Sequence, residues 1–315
     1  KSAIKYALNL KSEKAKESTY KDYEHRADVF LRWADKYYKS DLKIKDFGID
    51  DFYEYLDYLE LDYINHKTGK KLSNTSINNH KRAVSALFTN LKNKRIIDQN
   101  FIKGIPNLDS KPQKNLPFTH SQIKKIISYC ETHDPYMINI IAFIMYPLLR
   151  PVEITRLKVK DLNTTDWIFG VETKTEVISF RKIIDKIKPI ILNMNLENVP
   201  GEYNVFSKYD KPAMWETSKE ASKSEYFSIR FKKIKKALGF GKEYGLYSFR
   251  HSAIVDLYNS MQKSGLSERE IIYKLLPITR HKSELGLRNY LRDIKLALPE
   301  DHSDIFTIDI LRNVG

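Results

Sequence analysis

The chain has 315 residues, a formal net charge of +14, and 42% hydrophobic and 12% aromatic residues. That length suggests two domains of ordinary size, and the apolar content excludes disorder throughout. The longest apolar stretch, Met137 to Leu149, is interrupted by Asn139 and falls short of the roughly 20 residues a bilayer span needs, so no membrane partner is expected. One cysteine, Cys130, excludes an internal disulfide and fits a reducing cytosol. Lys1 to Leu10 lack the long apolar core of a secretory signal, and a chain that opens on Lys1 rather than Met implies that an N-terminal piece precedes it.

Residues 19–39 carry apolar and aromatic side chains at helical spacing, Val29, Leu31 and Trp33 among them, and predict a helix. Residues 49–60 predict a second, acidic one. Ser73-Asn-Thr-Ser is an N-cap cluster opening a long amphipathic helix in which Ala83, Leu87 and Leu91 share a face. Lys81, Arg82, Lys92 and Lys94 lie elsewhere on it, which makes this the expected DNA-facing helix of the first half. The segment 104–117 holds three prolines and little apolar periodicity, and is expected to link domains 1–103 and 118–315.

Beyond it, Thr119 caps a helix, and an apolar helix over 135–149 ends at Leu148-Leu149-Arg150-Pro151. Residues 166–184 turn to strand-like composition around Glu172-Thr-Lys-Thr175, consistent with a small antiparallel hairpin or three-stranded sheet. From Ser224 onward the pattern is helical again, including a basic run, Arg230 to Ala237, with Phe231 and Ile234 on one side. The expected fold class is therefore mainly α with one small antiparallel sheet (α+β).

Charge is unevenly placed. Residues 71–130 sum to +9, residues 41–60 to −5 and the tail 296–315 to −3. A local positive field raises the prior for a polyanionic partner without establishing one.

Four separated features carry chemistry. Arg150 ends the buried helix, with Glu153 three residues on. Lys174 sits at the tip of the expected hairpin. Tyr247-Ser-Phe-Arg250-His251 opens a helix, and Thr279-Arg280-His281 is followed nine residues later by Tyr290. With 20 tyrosines in 315 residues, none of these is informative alone. In this order and at these intervals they resemble the tyrosine recombinase (phage integrase) family. Its first arginine box, roughly Gly-Leu-Arg-x-x-Glu-Leu, is similar to LLRPVEI around Arg150 and Glu153. Its hairpin lysine matches Lys174, its His-x-Leu-Arg-His box matches Tyr247 to His251, and its Leu-Gly-His box matches Thr279 to His281. The resemblance departs at Tyr247, which stands where the family usually has histidine, and at Thr279-Arg280 in place of Leu-Gly.

The resemblance implies a helical, SAM-like core-binding domain followed by a catalytic domain, and a site-specific recombinase of a mobile element. Tyr290 would be the nucleophile. Arg150 and Arg250 would clamp the phosphate with planar, permanently charged donors, Lys174 would protonate the leaving oxygen, and His281 would donate a further hydrogen bond. Tyr247 would take the histidine's part unless His251 substitutes, and Glu153 would orient Arg150 from behind. No cluster with metal-ligand spacing is visible, so neither metal nor nucleotide cofactor is expected. The implied partners are double-stranded DNA and further copies of the chain, in a tetramer on paired sites, with the tail 296–315 docking on a neighbouring subunit. A type IB topoisomerase or telomere resolvase would share the chemistry, and a DNA-binding relative without catalysis would share the fold.

Overall fold

The computed structural model describes residues 1–13, 15–38, 43–66, 68–110, 115–172, 178–217 and 221–294. The chain divides into two compact units, Lys1–Lys111 and Pro112–Gly315. Lys174 and the tail 296–315 lie outside the described residues.

The first unit contains helices α1 (Ser2–Ser12), α2 (Glu17–Tyr38), α3 (Ile49–Leu61) and α4 (Asn74–Asn93), with a short hairpin of β1 (Ile64–Asn65) and β2 (Lys70–Lys71) before α4. Helix α1 and the hairpin have no counterpart in the sequence reading. An aromatic core holds the unit: Phe30 meets Tyr55 edge-on at 5.0 Å and Phe47 at 5.5 Å between ring centroids, geometries that ring quadrupoles favour. Ser73 caps α4 through the Ser76 N–H, as its cluster suggests.

Lys81 corrects the expectation of a DNA-facing lysine. It is 8% exposed and lies on the stripe Ile77, Lys81, Val84, Phe88, Leu91, whose alternating spacings of four and three define the core face of α4. Its ammonium donates to the Ile105 carbonyl, and burial lowers its pKa. Arg82, Lys92 and Lys94 are exposed.

The unit boundary falls inside the expected linker, and two of its described residues, Ile105 and Leu108, are tied to the first unit. Ile105 is buried in the first unit, and the Asn78 amide accepts from the Leu108 N–H at 2.9 Å while donating to the Leu108 carbonyl at 2.8 Å. Phe118 is buried in the second unit.

The second unit opens with α5 (His120–His133), capped by a reciprocal Thr119–Gln122 pair, and α6 (Pro135–Met145), apolar on nearly every face and buried. Helix α6 stops four residues earlier than expected. Pro147 has no N–H with which to continue the helical ladder, and Leu148 turns into the left-handed region with φ 52°. Helix α7 (Pro151–Ile154) follows, then the antiparallel sheet β3 (Leu162–Asn163), β4 (Ile168–Glu172) and β5 (Ile178–Lys182) in that order, with Phe169 paired to Arg181. Helix α8 (Lys188–Leu192) leads to α9 (Ala221–Ala237), α10 (Leu246–Lys263), α11 (Glu268–Thr279) and α12 (Glu284–Asp293). One core joins α5, α6, α9 and the start of α10 through Ile126, Phe143, Phe227, Phe231 and Phe249. A second lies under α10 to α12, around Leu148, Ile254, Leu275 and Leu287. In the basic run of α9, Phe231 and Ile234 are buried, and Arg230 is engaged by Asp134, 2.6 Å from Nε, and by Asp210.

Candidate active site

Three chain turns and one helix face converge where α6 hands over to α7. Arg150 is the N-cap of α7 rather than the end of α6, with Pro151 at the first helical position, where a missing N–H costs nothing. Its own N–H donates to Glu153 Oε2 at 2.8 Å and its Nη1 to Glu153 Oε1 at 2.9 Å. Glu153 is buried, so both of its oxygens are committed inside the protein.

Tyr247, Arg250 and His251 lie in the first turns of α10. Arg250 is 1% exposed, an extreme for a guanidinium. Its Nη2 donates to the Thr279 carbonyl at 2.7 Å, while Nε and Nη1 have no partner among the described residues. Arg280 caps α11 in the left-handed conformation, φ 59° and ψ 39°, and reaches Glu153 Oε2 with Nη2. Left-handed backbone is where glycine sits without strain, which accounts for the glycine of the resembling motif and makes an arginine there unusual. His281 follows, its Nδ1 2.8 Å from Thr279 Oγ1. Tyr290 projects from α12 with its ring centroid 4.9 Å from that of His281 and 5.1 Å from that of His251. The Tyr290 hydroxyl is buried and unpartnered among the described residues.

Arg181 joins them from β5. Its register partner Phe169 is buried, and Arg181 turns inward with it, donating to the carbonyls of Pro147 and of Ile278, the latter at 3.2 Å. Lys182, the next residue along the strand, is exposed.

Among the described residues, Arg150 and Arg280 pair with Glu153 and no ion pair is formed by Arg181 or Arg250, so positive charge is left over. Burial followed by Arg280 and Arg250 lowers Arg181 to about 9, and burial lowers Arg250. Burial alone would raise the Glu153 carboxyl, but the Arg150 N–H and the Arg280 and Arg150 guanidiniums hold it below its ordinary value. Burial raises the Tyr290 phenol, against the pull of Arg250 and Arg150. Both imidazoles are pushed down to about 4, His281 by burial, Arg250 and Arg150, and His251 by burial and Arg250. Buried polar groups are normally satisfied. Unpaired guanidinium N–H groups beside an unpaired phenol mark a place prepared for an anion with oxygens to share.

The structure thus brings Arg150, Glu153, Tyr247, Arg250, His251, His281 and Tyr290 together, and Lys174 falls outside the described residues. Sequence reasoning missed Arg181, for which strand alternation with Phe169 was the available signal. It also passed over Thr279, whose hydroxyl holds His281.

No protein-family model and no curated protein matches the chain. Among solved structures, it is similar to the Tn1549 transposon integrase in complex with transposon right end DNA, with TM-score 0.68 and 14% identity over 96% of this chain and 97% of that one. The same integrase in complex with circular intermediate DNA matches with TM-score 0.64 and 14% identity, covering 96% of this chain and 98% of that one. A lambda integrase dimer bound to a COC′ core site matches with TM-score 0.66 and 18% identity, covering 98% and 79%. The chain therefore has the fold of these integrases, mainly helical with a small antiparallel sheet.

Proposed function

We propose that this chain is a site-specific DNA recombinase, of the integrase or transposase kind carried by mobile elements, which cuts and rejoins DNA through a covalent 3′-phosphotyrosine. The observation that carries the reading is the buried, unpartnered Tyr290 hydroxyl beside the unpaired N–H groups of Arg250. The integrases whose fold it shares were solved on DNA.

Breaking a phosphodiester needs a nucleophile, donors for the charge that grows on the non-bridging oxygens, and a proton for the departing 5′-oxygen. Tyr290 is the nucleophile. Arg150 and Arg250 hold the non-bridging oxygens, with Tyr247 contributing its phenol. Lys174 protonates the 5′-oxygen. Glu153 holds Arg150 in place, and His251 packs between Tyr247 and Tyr290, 4.9 and 5.1 Å from their rings. The phosphotyrosine keeps the energy of the broken bond, so rejoining needs no nucleotide. Arg82, Lys92 and Lys94 on α4 contact DNA phosphates, and the working assembly is a tetramer on paired sites in the cytoplasm, joined through the tail 296–315.

The test begins by selecting binding duplexes from a random pool. The selected duplex is rebuilt with a nick beside the cleavage point, so that a short strand diffuses away and the covalent species accumulates. Wild-type protein is expected to form a protein–DNA adduct stable to denaturation, and Tyr290→Phe to form none. No adduct with wild type, or an undiminished one with Tyr290→Phe, contradicts the reading.

A further inference from the structure

His281 is not free to choose its tautomer. Thr279 Oγ1 lies 2.8 Å from the Leu275 carbonyl, one helical turn back. A carbonyl can only accept, so the hydroxyl commits its single proton there. The same oxygen lies 2.8 Å from His281 Nδ1 and must accept from it. A neutral imidazole that carries its proton on Nδ1 leaves Nε2 bare, as an acceptor. The hydroxyl has little room to swing away. Thr279 is 0% exposed, its carbonyl is held by Arg250 at 2.7 Å, and the preceding carbonyl of Ile278 is held by Arg181 at 3.2 Å. A ring in this state is ill suited to donate from Nε2 to a phosphate, which is the role the sequence resemblance gives it.

Building on the recombinase reading, we propose that His281 Nε2 is the base that takes the proton of Tyr290, with Thr279 as the positioning residue that keeps Nε2 bare. The two rings are 4.9 Å apart between centroids, and catalytic hydrogen bonds are often long in a protein without its substrate. The position where the resembling motif has histidine is occupied here by Tyr247, and a phenol is a poor proton acceptor beside an imidazole. His251 also adjoins Tyr290, but its Nδ1 has no partner among the described residues, so nothing there sets its tautomer.

In the cleavage step the Tyr290 oxygen bonds to phosphorus, and its proton passes to His281 Nε2, giving an imidazolium. The bond from phosphorus to the 5′-oxygen breaks, and that oxygen takes a proton from Lys174. Rejoining reverses each transfer: the 5′-hydroxyl attacks, its proton returns to the lysine, and the imidazolium returns its proton to the departing phenol.

The charges around His281 fit a base that engages only on DNA. Arg250 from α10 and Arg150 from α7 act on the ring, and Tyr290 packs against it from α12. With its pKa near 4 the ring is neutral at neutral pH and so able to accept. A bound phosphate adds negative charge against Arg150 and Arg250, which favours the imidazolium when it is needed.

The experiment compares two phenols in the full chain, tyrosine and a ring-fluorinated tyrosine at position 290, the second being acidic enough to ionise with little help. Adduct formation is followed in a single turnover on the selected nicked duplex for the unmodified chain, His281→Ala, His251→Ala, Thr279→Val and Thr279→Ser. With tyrosine, His281→Ala is expected to slow the step by about 10²-fold, the low end for a general base, and Thr279→Val by a smaller factor, while Thr279→Ser stays near wild type. With the fluorinated phenol the His281→Ala and Thr279→Val deficits should shrink to a few-fold. The ratio between phenols is taken within each variant, so a fraction of misfolded protein cancels from it. Deficits of equal size with both phenols make His281 a phosphate donor and overturn the proposal, as does a deficit that shrinks for His251→Ala alone. Absence of any adduct with the unmodified chain is a separate result, which ends the recombinase reading and this proposal together.

Discussion

Glu153 is shared between Arg150 and Arg280, and its ionisation holds the first and third motifs together. Its carboxyl is depressed in the folded protein. A group with a lowered folded value contributes stability that is full above its unfolded value, 4.5, and is lost as pH falls through the lower folded one. Wild type should therefore melt at progressively lower temperature as pH drops below about 4.5, and Glu153→Gln should show a flatter acid limb. At pH 7, Glu153→Gln should cost about 3 kcal/mol, as expected when a buried ion pair loses one partner. A melting series over pH 3 to 7 checks both.

Arg280 makes a second prediction at this scale. A non-glycine residue in the left-handed region is strained by about 1 kcal/mol, and two of its own nitrogens are buried without partners among the described residues. Arg280→Gly relieves both and leaves Glu153 its two bonds to Arg150. Thermal stability is expected to change by less than about 1 kcal/mol while adduct formation slows several-fold, since the turn carrying His281 is no longer tied to Glu153. Equal losses in both measurements would make Arg280 merely structural. Arg150, Arg250, His281 and Tyr290 were legible in the sequence because their spacing resembles a known pattern. The roles of Thr279 and Arg280 were not, because they depend on a backbone angle and a hydroxyl's direction, which residue type does not reveal.

At the scale of elements, α4 shows how a helical pattern misleads by one position. The face of Ala83, Leu87 and Leu91 leaves Lys81 among the expected DNA-facing cations, yet the four-and-three spacing from Ile77 to Leu91 runs through it. A long side chain can bury its stem when the amine finds a carbonyl, and Ile105 supplies one. Lys81→Ala should lower stability by about 1 to 3 kcal/mol, the cost of a lost buried bond with a charged donor, and change DNA affinity little. Arg82→Ala and Lys92→Ala should instead weaken binding, each reducing the slope of log affinity against log salt by about 1. Titrations at several salt concentrations separate the two behaviours. Helix α6 teaches the converse. Its apolar run continues to Leu149, but Pro147 ends the helix at Met145, so hydrophobicity set the burial and proline set the length. Arg181 was hidden for a third reason: strand alternation puts it inward beside Phe169, while its neighbours Phe180 and Lys182 are exposed.

For the whole molecule, the charge of +14 separates into parts with different fates. Arg230 is consumed by Asp134 and Asp210, Lys81 by a carbonyl, and Lys158 and Lys160 by Glu202. Under the proposed function, exposed cations on α4 remain for a DNA backbone, and buried guanidiniums around Glu153 for a single phosphate. In the proposed reaction this phosphate becomes bonded to Tyr290. The most direct measurement digests the trapped protein–DNA adduct and locates the nucleotide-bearing peptide by mass spectrometry. A 3′-phosphate linked to Tyr290 in the peptide from α12 is expected. A nucleotide on Tyr247 or any other side chain, or a linkage through a 5′-phosphate, would contradict it.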